Sequence, residues 1–248
     1  MPEHVAGNAP RFVLTMDTDW APQFVLDHVL DMLRTYNAPA TLFCTSAYDL
    51  PADMLANGTL EIGLHPNFMP GSTQGPPDAD EEGRLRHLLD LYPDAIGSRS
   101  HRFYWHSGLR ALLLRNGLRY DASIFCPLQS HLHEYDYYGL TRFPTWWADG
   151  YHLLQGLELD RFAPPGMHEP GLKILNVHPI HVYCNTNDLG RMKKSLAGVR
   201  LPEAEPDDLA PLRSRGAGVE TLFLSALRMM ADQDEPAILG ALRPRPLV

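Results

Sequence analysis

The chain has 248 residues, 44% of them hydrophobic and 21% charged, with a formal net charge of −9. At this length it can bury roughly 75% of the surface that its unfolded form exposes, so one domain over residues 1–248 is expected, without long disorder. The acidic balance and the lack of a long Lys/Arg cluster argue against nucleic acid as a partner, and no apolar run reaches the roughly 20 residues of a membrane span.

The first eleven residues carry no basic start followed by an apolar stretch, so a cytoplasmic chain without a secretory leader is expected. Residues 11–16 (RFVLTM) form an apolar, partly β-branched run that stops at Asp17-Thr18-Asp19, as a buried strand entering a loop would. Val25, Val29, Leu33 and Tyr36 then recur at helical spacing until Asn37-Ala38-Pro39 breaks the pattern. Residues 40–45 (ATLFCT) and 60–65 (LEIGLH) read as two further strands, the second ending in His65. Strand, helix and strand in alternation predict parallel βα units.

Residues 67–78 (NFMPGSTQGPPD) are rich in Gly and Pro and predict a long loop just beyond His65. A helical pattern follows over 81–91, an extended stretch over 96–104 and a helix over 109–116. Residues 143–147 and 173–177 are later strands, 219–230 a final helix, and the Pro-rich, charged 201–215 a surface excursion. Asp121 reads as a turn former, and Cys44, Cys126 and Cys184, with no CxxC pair among them, as buried thiols in a reducing compartment.

Residues able to bind a metal or move protons collect where the expected strands end: Asp17 and Asp19, His65, Arg99 and His101, and His178. In parallel barrels such ends converge on one face. Carboxylate and imidazole are both ligands for zinc and similar ions, and three protein ligands plus water is the usual catalytic arrangement. A metal-activated water is therefore plausible chemistry for the chain. His131, His133, His152, His168 and His181 show no pattern that ties them to that group.

Residues 15–19 (TMDTD) resemble the first, TFDDG-type motif of the polysaccharide deacetylase (NodB homology) family. Residues 63–68 (GLHPNF) resemble its metal-binding histidine motif, 98–104 (SRSHRFY) its arginine motif, 144–149 (PTWWAD) its Asp/Trp motif and 175–179 (LNVHP) its LxH motif, all in family order. The resemblance implies a distorted (β/α) barrel with about seven strands and hydrolysis of an N-acyl, usually acetyl, group on an amino sugar or glycan precursor. It also implies a divalent metal cofactor, zinc first, with cobalt, manganese or nickel as alternatives.

Carried over residue by residue, the resemblance makes Asp17 the general base, Asp19 a metal ligand with His65, and Arg99 the partner of Asp17. His178 becomes the general acid, with Asp149 orienting it. Tyr104, Trp146 and Trp147 are candidates for stacking on the sugar, with core packing the equal alternative. The family's second motif normally offers HxxxH, whereas Met69 follows His65 here, and the third motif carries His101 where a proline is usual. In a strand, residues two apart face one side, so if Arg99 faces the site His101 does too. We therefore expect His101 as the third ligand, with water or Asn67 as the alternative. Same-fold hydrolysis of a non-sugar amide, and a barrel that binds carbohydrate without catalysis, are the rival functions.

Overall fold

The computed structural model describes residues 9–233 and 236–242. Most of the segment read for a leader, residues 1–8, lies outside them. Among the described residues there are eight strands: β1 (Pro10–Asp17), β2 (Ala40–Cys44), β3 (Leu60–Leu64), β4 (Gly97–Ser98), β5 (Tyr120–Phe125), β6 (Tyr135–Tyr137), β7 (Leu140–Ala148) and β8 (Gly171–Val177). Seven of them pair in parallel in the cyclic order β1, β2, β3, β4, β5, β7, β8 and back to β1, closing a barrel. The eighth, β6, forms an antiparallel hairpin with β7 outside the ring.

Strands of such a barrel are covered on both faces, which is why β1 and β2 read as unbroken apolar runs rather than as alternations. Val13, Phe43, Tyr120, Ala122, Phe143, Leu172 and Ile174 form one cluster, the filling of the barrel. Their strand neighbours Leu14, Leu42, Leu175 and Val177 point the other way, to Leu26, Val29, Leu33, Leu222, Phe223 and Leu227 of the helices Gln23–Tyr36 and Val219–Ala231. The first helix stops where the sequence predicts, at Asn37, whose left-handed backbone caps the end through N–H bonds to the carbonyls of Leu33 and Arg34.

At the N-terminal end of the strands Leu239 joins the barrel filling, its amide donating to Thr41 Oγ1 at 3.0 Å. The Gly240 amide donates to Glu61 Oε2, also at 3.0 Å. That end is plugged, and the strands' C-terminal ends form the other. Gly97 is required by the filling itself, since a Cβ there would lie 1.8 Å from the Tyr120 ring. Gly97→Ala is therefore expected to destabilise the fold by about 1–3 kcal/mol or more, seen as a lower denaturant midpoint at unchanged slope.

Four sequence readings are corrected. Asp121 is not in a turn: it lies in β5, fully buried, with its Oδ2 2.8 Å from Arg142 Nε, and the guanidinium packs 3.6 Å from the Trp105 ring centroid. Its ion partner sits far along the chain, so a lone polar residue masked a strand. Cys126 is half-buried rather than buried. Residues 201–215 are not a mere excursion, because Ala204 and Leu209 are buried against Ala21 and Val25. The extended stretch of residues 96–104 ends early, in the 3-10 turn His101–Phe103.

Candidate active site

At the C-terminal end of β1 the chain turns through Asp17, Thr18, Asp19 and Trp20 and is tied to the end of β2. The Trp20 amide donates to Thr45 Oγ1 at 3.0 Å, the Thr45 amide to Thr18 Oγ1 at 3.0 Å, and the Thr18 amide to the Phe43 carbonyl at 3.1 Å. The turn aims two carboxylates differently. Asp17, 3% exposed, points into the barrel, and Asp19 points out towards the mouth.

Arg99 lies fully buried across the top of the barrel filling. Its Nη1 lies within hydrogen-bond distance of Thr15 Oγ1 (2.8 Å), Asp17 Oδ1 (3.0 Å) and Asn176 Oδ1 (3.0 Å), and Nη2 donates to Thr145 Oγ1 at 3.1 Å. Asn176 Nδ2 donates to Asp17 Oδ2 at 2.7 Å. Thr15, Thr145 and Asn176 were missed in the sequence, although a signal was there: Thr15 and Asn176 each stand two residues before a residue of interest in an apolar strand, and so share its face.

Strand-like pairing runs on past β4. The amides of Arg99 and His101 donate to the carbonyls of Leu64 and Pro66, both at 2.9 Å, so the two residues keep the alternation that puts both side chains on the site's side. His65 Nε2 and His101 Nδ1 each lie 3.1 Å from Asp19 Oδ1. All three ligand atoms fall within 4.8 Å of one another. A tetrahedral ion with bonds of about 2.0–2.1 Å has ligand atoms about 3.4 Å apart, so this donor set fits a zinc-like cation. His65 Nδ1 points the same way: it is buried without a hydrogen-bond partner, 3.7 Å from Asp17 Oδ1, where a carboxylate behind a ligating imidazole belongs. Asn67, the alternative ligand, turns its Oδ1 to the Met69 amide of its own loop.

The loop over residues 67–78 is as long as expected, and the Gln74 side chain ties it to the ends of β2 and β3. Gln74 donates from Nε2 to the carbonyls of Thr45 and His65 and accepts from the Asn67 amide. On the opposite side of the site, Asp149 at the end of β7 is fully buried and accepts from the His178 amide at 2.7 Å. Its Oδ1 lies 2.7 Å from His178 Nδ1, and His178 Nε2 lies 3.5 Å from Asp19 Oδ2. Burial pulls the His178 pKa down, but the charge and hydrogen bond of Asp149, with the charges of Asp19 and Asp17, more than offset it and raise the value to about 10. Burial likewise raises the Asp19 pKa, and the bonds from His101 and His65 outweigh it, leaving the carboxyl well below its ordinary range.

Trp146 and Trp147 take the core-packing alternative, and His181 stands nearer the site than its lack of pattern suggested. Trp146 and Trp147 are 0% and 2% exposed, packed on Phe12 and Phe162, and offer no face to a ligand. A register shift in β7 between Thr145 and Trp147 turns both indoles outward under the helices. His181 is near the site after all, its ring 5.6 Å from that of His178, with burial lowering its pKa. Arg102 is exposed, and Tyr104 packs against a cluster of leucines that includes Leu64.

Aromatic rings that do border the site come from strained backbone. Asp19 and Trp20 have φ of 42° and 59°, and Arg102 and Phe103 of 58° and 55°. Such non-glycine conformations cost roughly 1–3 kcal/mol each and cluster at functional sites. Half-buried Trp20 meets the His101 ring edge-on at 5.2 Å.

Comparison with known proteins bears on the family and the fold. A crystal structure assigned to a polysaccharide deacetylase involved in O-antigen biosynthesis, WbmS of Bordetella bronchiseptica, superposes with a TM-score of 0.77 at 30% identity, covering 88% of this chain and 90% of that one. A second structure assigned to a polysaccharide deacetylase, from Mycobacterium smegmatis, gives a TM-score of 0.47 at 16% identity over 98% of this chain and 94% of that one. No curated protein matches the chain significantly. The WbmS-like polysaccharide deacetylase family profile matches residues 14–196, and with the barrel and its strand-end residues this places the chain in the polysaccharide deacetylase family.

Proposed function

We propose that the protein is a divalent-metal-dependent hydrolase that removes an N-acyl group, acetyl in the simplest case, from an amino sugar or glycan precursor. The observation that carries this reading is the junction of three elements: the Asp19, His65 and His101 donor set, the Asp17–Arg99 pair beside it, and the Asp149–His178 pair across from it. Asp19, His65 and His101 would hold the cation, which when bound supplies Lewis-acid polarisation of the acyl carbonyl.

The chain's own groups handle the protons. Asp17 accepts the proton of the attacking water: each of its oxygens has a protein donor, from Arg99 or Asn176, and each keeps a second lone pair. Arg99 and Asn176 fix the carboxylate's orientation throughout. His178, held protonated by Asp149, gives its Nε2 proton to the departing amine, and Asp149 also keeps the ring from rotating. The relationship to the Bordetella protein makes precursors of surface polysaccharide the first substrates to test.

The test is acetate release from N-acetylated sugars and short glycans, with zinc content measured on the same samples. Activity that rises with bound zinc, disappears on chelation and returns on reloading is expected. Within that screen His178→Ala should slow amides far more than esters with good leaving groups, because only a poor leaving group needs protonation. A protein that binds no divalent metal and releases no acetate from any substrate is not a hydrolase of this kind.

A further inference from the structure

We infer that His181 and Lys193 form a subsite for an anionic group of the substrate, so that the acylated amine is accepted on a sugar that carries a phosphate or carboxylate close to it. For its substrate the inference rests on the hydrolase reading above, in which His178 is the acid. For its geometry it rests on groups which that reading does not use.

His181 stands three residues after His178, the N-cap of the short helix Pro179–Tyr183, a spacing that brings the two side chains together. The half-buried His181 ring meets that of His178 edge-on, with centroids 5.6 Å apart and planes at 75°. Among the described residues only one of its nitrogens has a partner: Nδ1 lies 3.2 Å from Thr186 Oγ1. Thr186 is 2% exposed and its hydroxyl has no other hydrogen bond among the described residues, so it donates to Nδ1. That puts the ring proton on Nε2. The Thr186 amide also donates to the His181 carbonyl at 2.9 Å, which holds the pair in place. Nε2 has no partner among the described residues, yet it is not one of the buried polar atoms left without one. Its N–H is therefore open to solvent beside the acid.

A cation accompanies this donor. The helix Leu189–Ser195 packs against the helix Asp149–Leu154, which begins at the carboxylate partner of His178. Its Met192 is buried in one cluster with Ile180 and Cys184, residues on either side of His181 in the chain. Lys193, next to Met192, is exposed and forms no ion pair among the described residues. Its neighbours are engaged: Arg191 donates to Ser214 Oγ at 2.8 Å, and the charge of Lys194 acts on Asp188. The Lys193 charge acts instead on His181, whose pKa burial lowers, Asp149 and Asp19 raise, and the positive charges of His178 and Lys193 lower further. The site's carboxylates already have other partners, Asp149 in the ring and amide of His178 and Asp19 in His65 and His101. An imidazole N–H with an unpaired ammonium near it, in a chain of net charge −9, matches a ligand group with negative charge and several acceptor oxygens. A neutral sugar would leave the ammonium without a partner.

The competing explanation is that His181 only braces the His178 ring and that Lys193 is an ordinary surface charge, and the experiment separates the two. Zinc-loaded wild type, Lys193→Ala, Lys193→Glu and His181→Phe, which keeps a ring beside His178 without the N–H, would be assayed on three compounds. These are the methyl glycoside of N-acetylglucosamine, N-acetylglucosamine 1-phosphate and the methyl glycoside of N-acetylglucosaminuronic acid, the last two distinguishing a phosphate from a carboxylate. Wild type is expected to favour one of the anionic compounds over the neutral one in kcat/KM. That ratio should fall about tenfold in His181→Phe and Lys193→Ala, the worth of a hydrogen bond to a charged group, through KM, and further in Lys193→Glu. No preference in wild type, or a ratio that survives in any of the three variants, overturns the subsite and leaves the hydrolase reading standing. If wild type hydrolyses none of the compounds, the acetate screen above decides the hydrolase reading and binding decides the subsite. Equilibrium dialysis should then show an anionic compound retained by wild type and lost by Lys193→Glu. Retention that is absent from wild type, or equal in the variant, overturns it.

Discussion

Asp17→Asn is expected to lower kcat by about 10²–10⁴-fold, the range supplied by a positioned general base, while zinc remains bound. The amide nitrogen cannot accept a proton, and Asp17 is not among the three residues whose ligand atoms converge. Some loss of zinc affinity is expected too, because Asp17 Oδ1 lies 3.7 Å behind His65 Nδ1, and outer-sphere partners of this kind are worth roughly 10–100-fold in affinity. Stability should fall with activity. Arg99 is fully buried and Asp17 is the carboxylate that faces it, so the substitution leaves a buried charge without its counter-ion, a cost of about 3–5 kcal/mol. Assays in the cold, with zinc in excess and folding checked by circular dichroism, separate these effects. Near wild-type turnover in the folded, zinc-bound variant would remove Asp17 from the mechanism.

His101→Ala tests the rearranged ligand set. Loss of one of three protein ligands should weaken zinc binding by more than the roughly 10–100-fold lost with an outer-sphere partner, with little effect on the fold, since the imidazole is half-buried at the mouth. Competition against a chromophoric chelator reads the affinity directly, without reference to turnover. Unchanged affinity would mean that His101 only bonds to Asp19, at the 3.1 Å seen here, and that the third donor lies elsewhere.

The strand ends were the legible part of this sequence. β1, β2 and β8 announced themselves because both faces of each are largely buried, which leaves mostly apolar runs, while β3, half-buried at Glu61 and Ile62, was marked by its end at His65. His101 could be placed by parity, even though the regular β4 is only two residues long, because the hydrogen-bond alternation with Leu64 and Pro66 outlasts it. β5 was hidden by Asp121, whose burial makes sense only once Arg142 is beside it, and no local rule reports a partner on another strand. Between the two alternatives left open for Trp146 and Trp147, the choice was illegible for a similar reason. Periodicity assigns Trp146 and Trp147 to opposite faces of a strand, and the irregular β7–β8 register sends both to one. The left-handed backbone of Trp20 and Phe103 was equally illegible, since it leaves no trace in composition or spacing.

The seam between β1 and β8 has a kinetic consequence. These strands pair over residues 160 positions apart in the chain, the kind of distant contact that slows folding because loop closure must come first. Asp19, His65 and His101 stand at or just beyond the ends of β1, β3 and β4, all on one side of the seam, whereas Asn176 and His178 arrive only with β8. A refolding intermediate with the seam still open can therefore assemble Asp19, His65 and His101 but not His178, the acid of the proposed mechanism. Affinity for metal would return before turnover does, with the closing of the ring marking the interval between them.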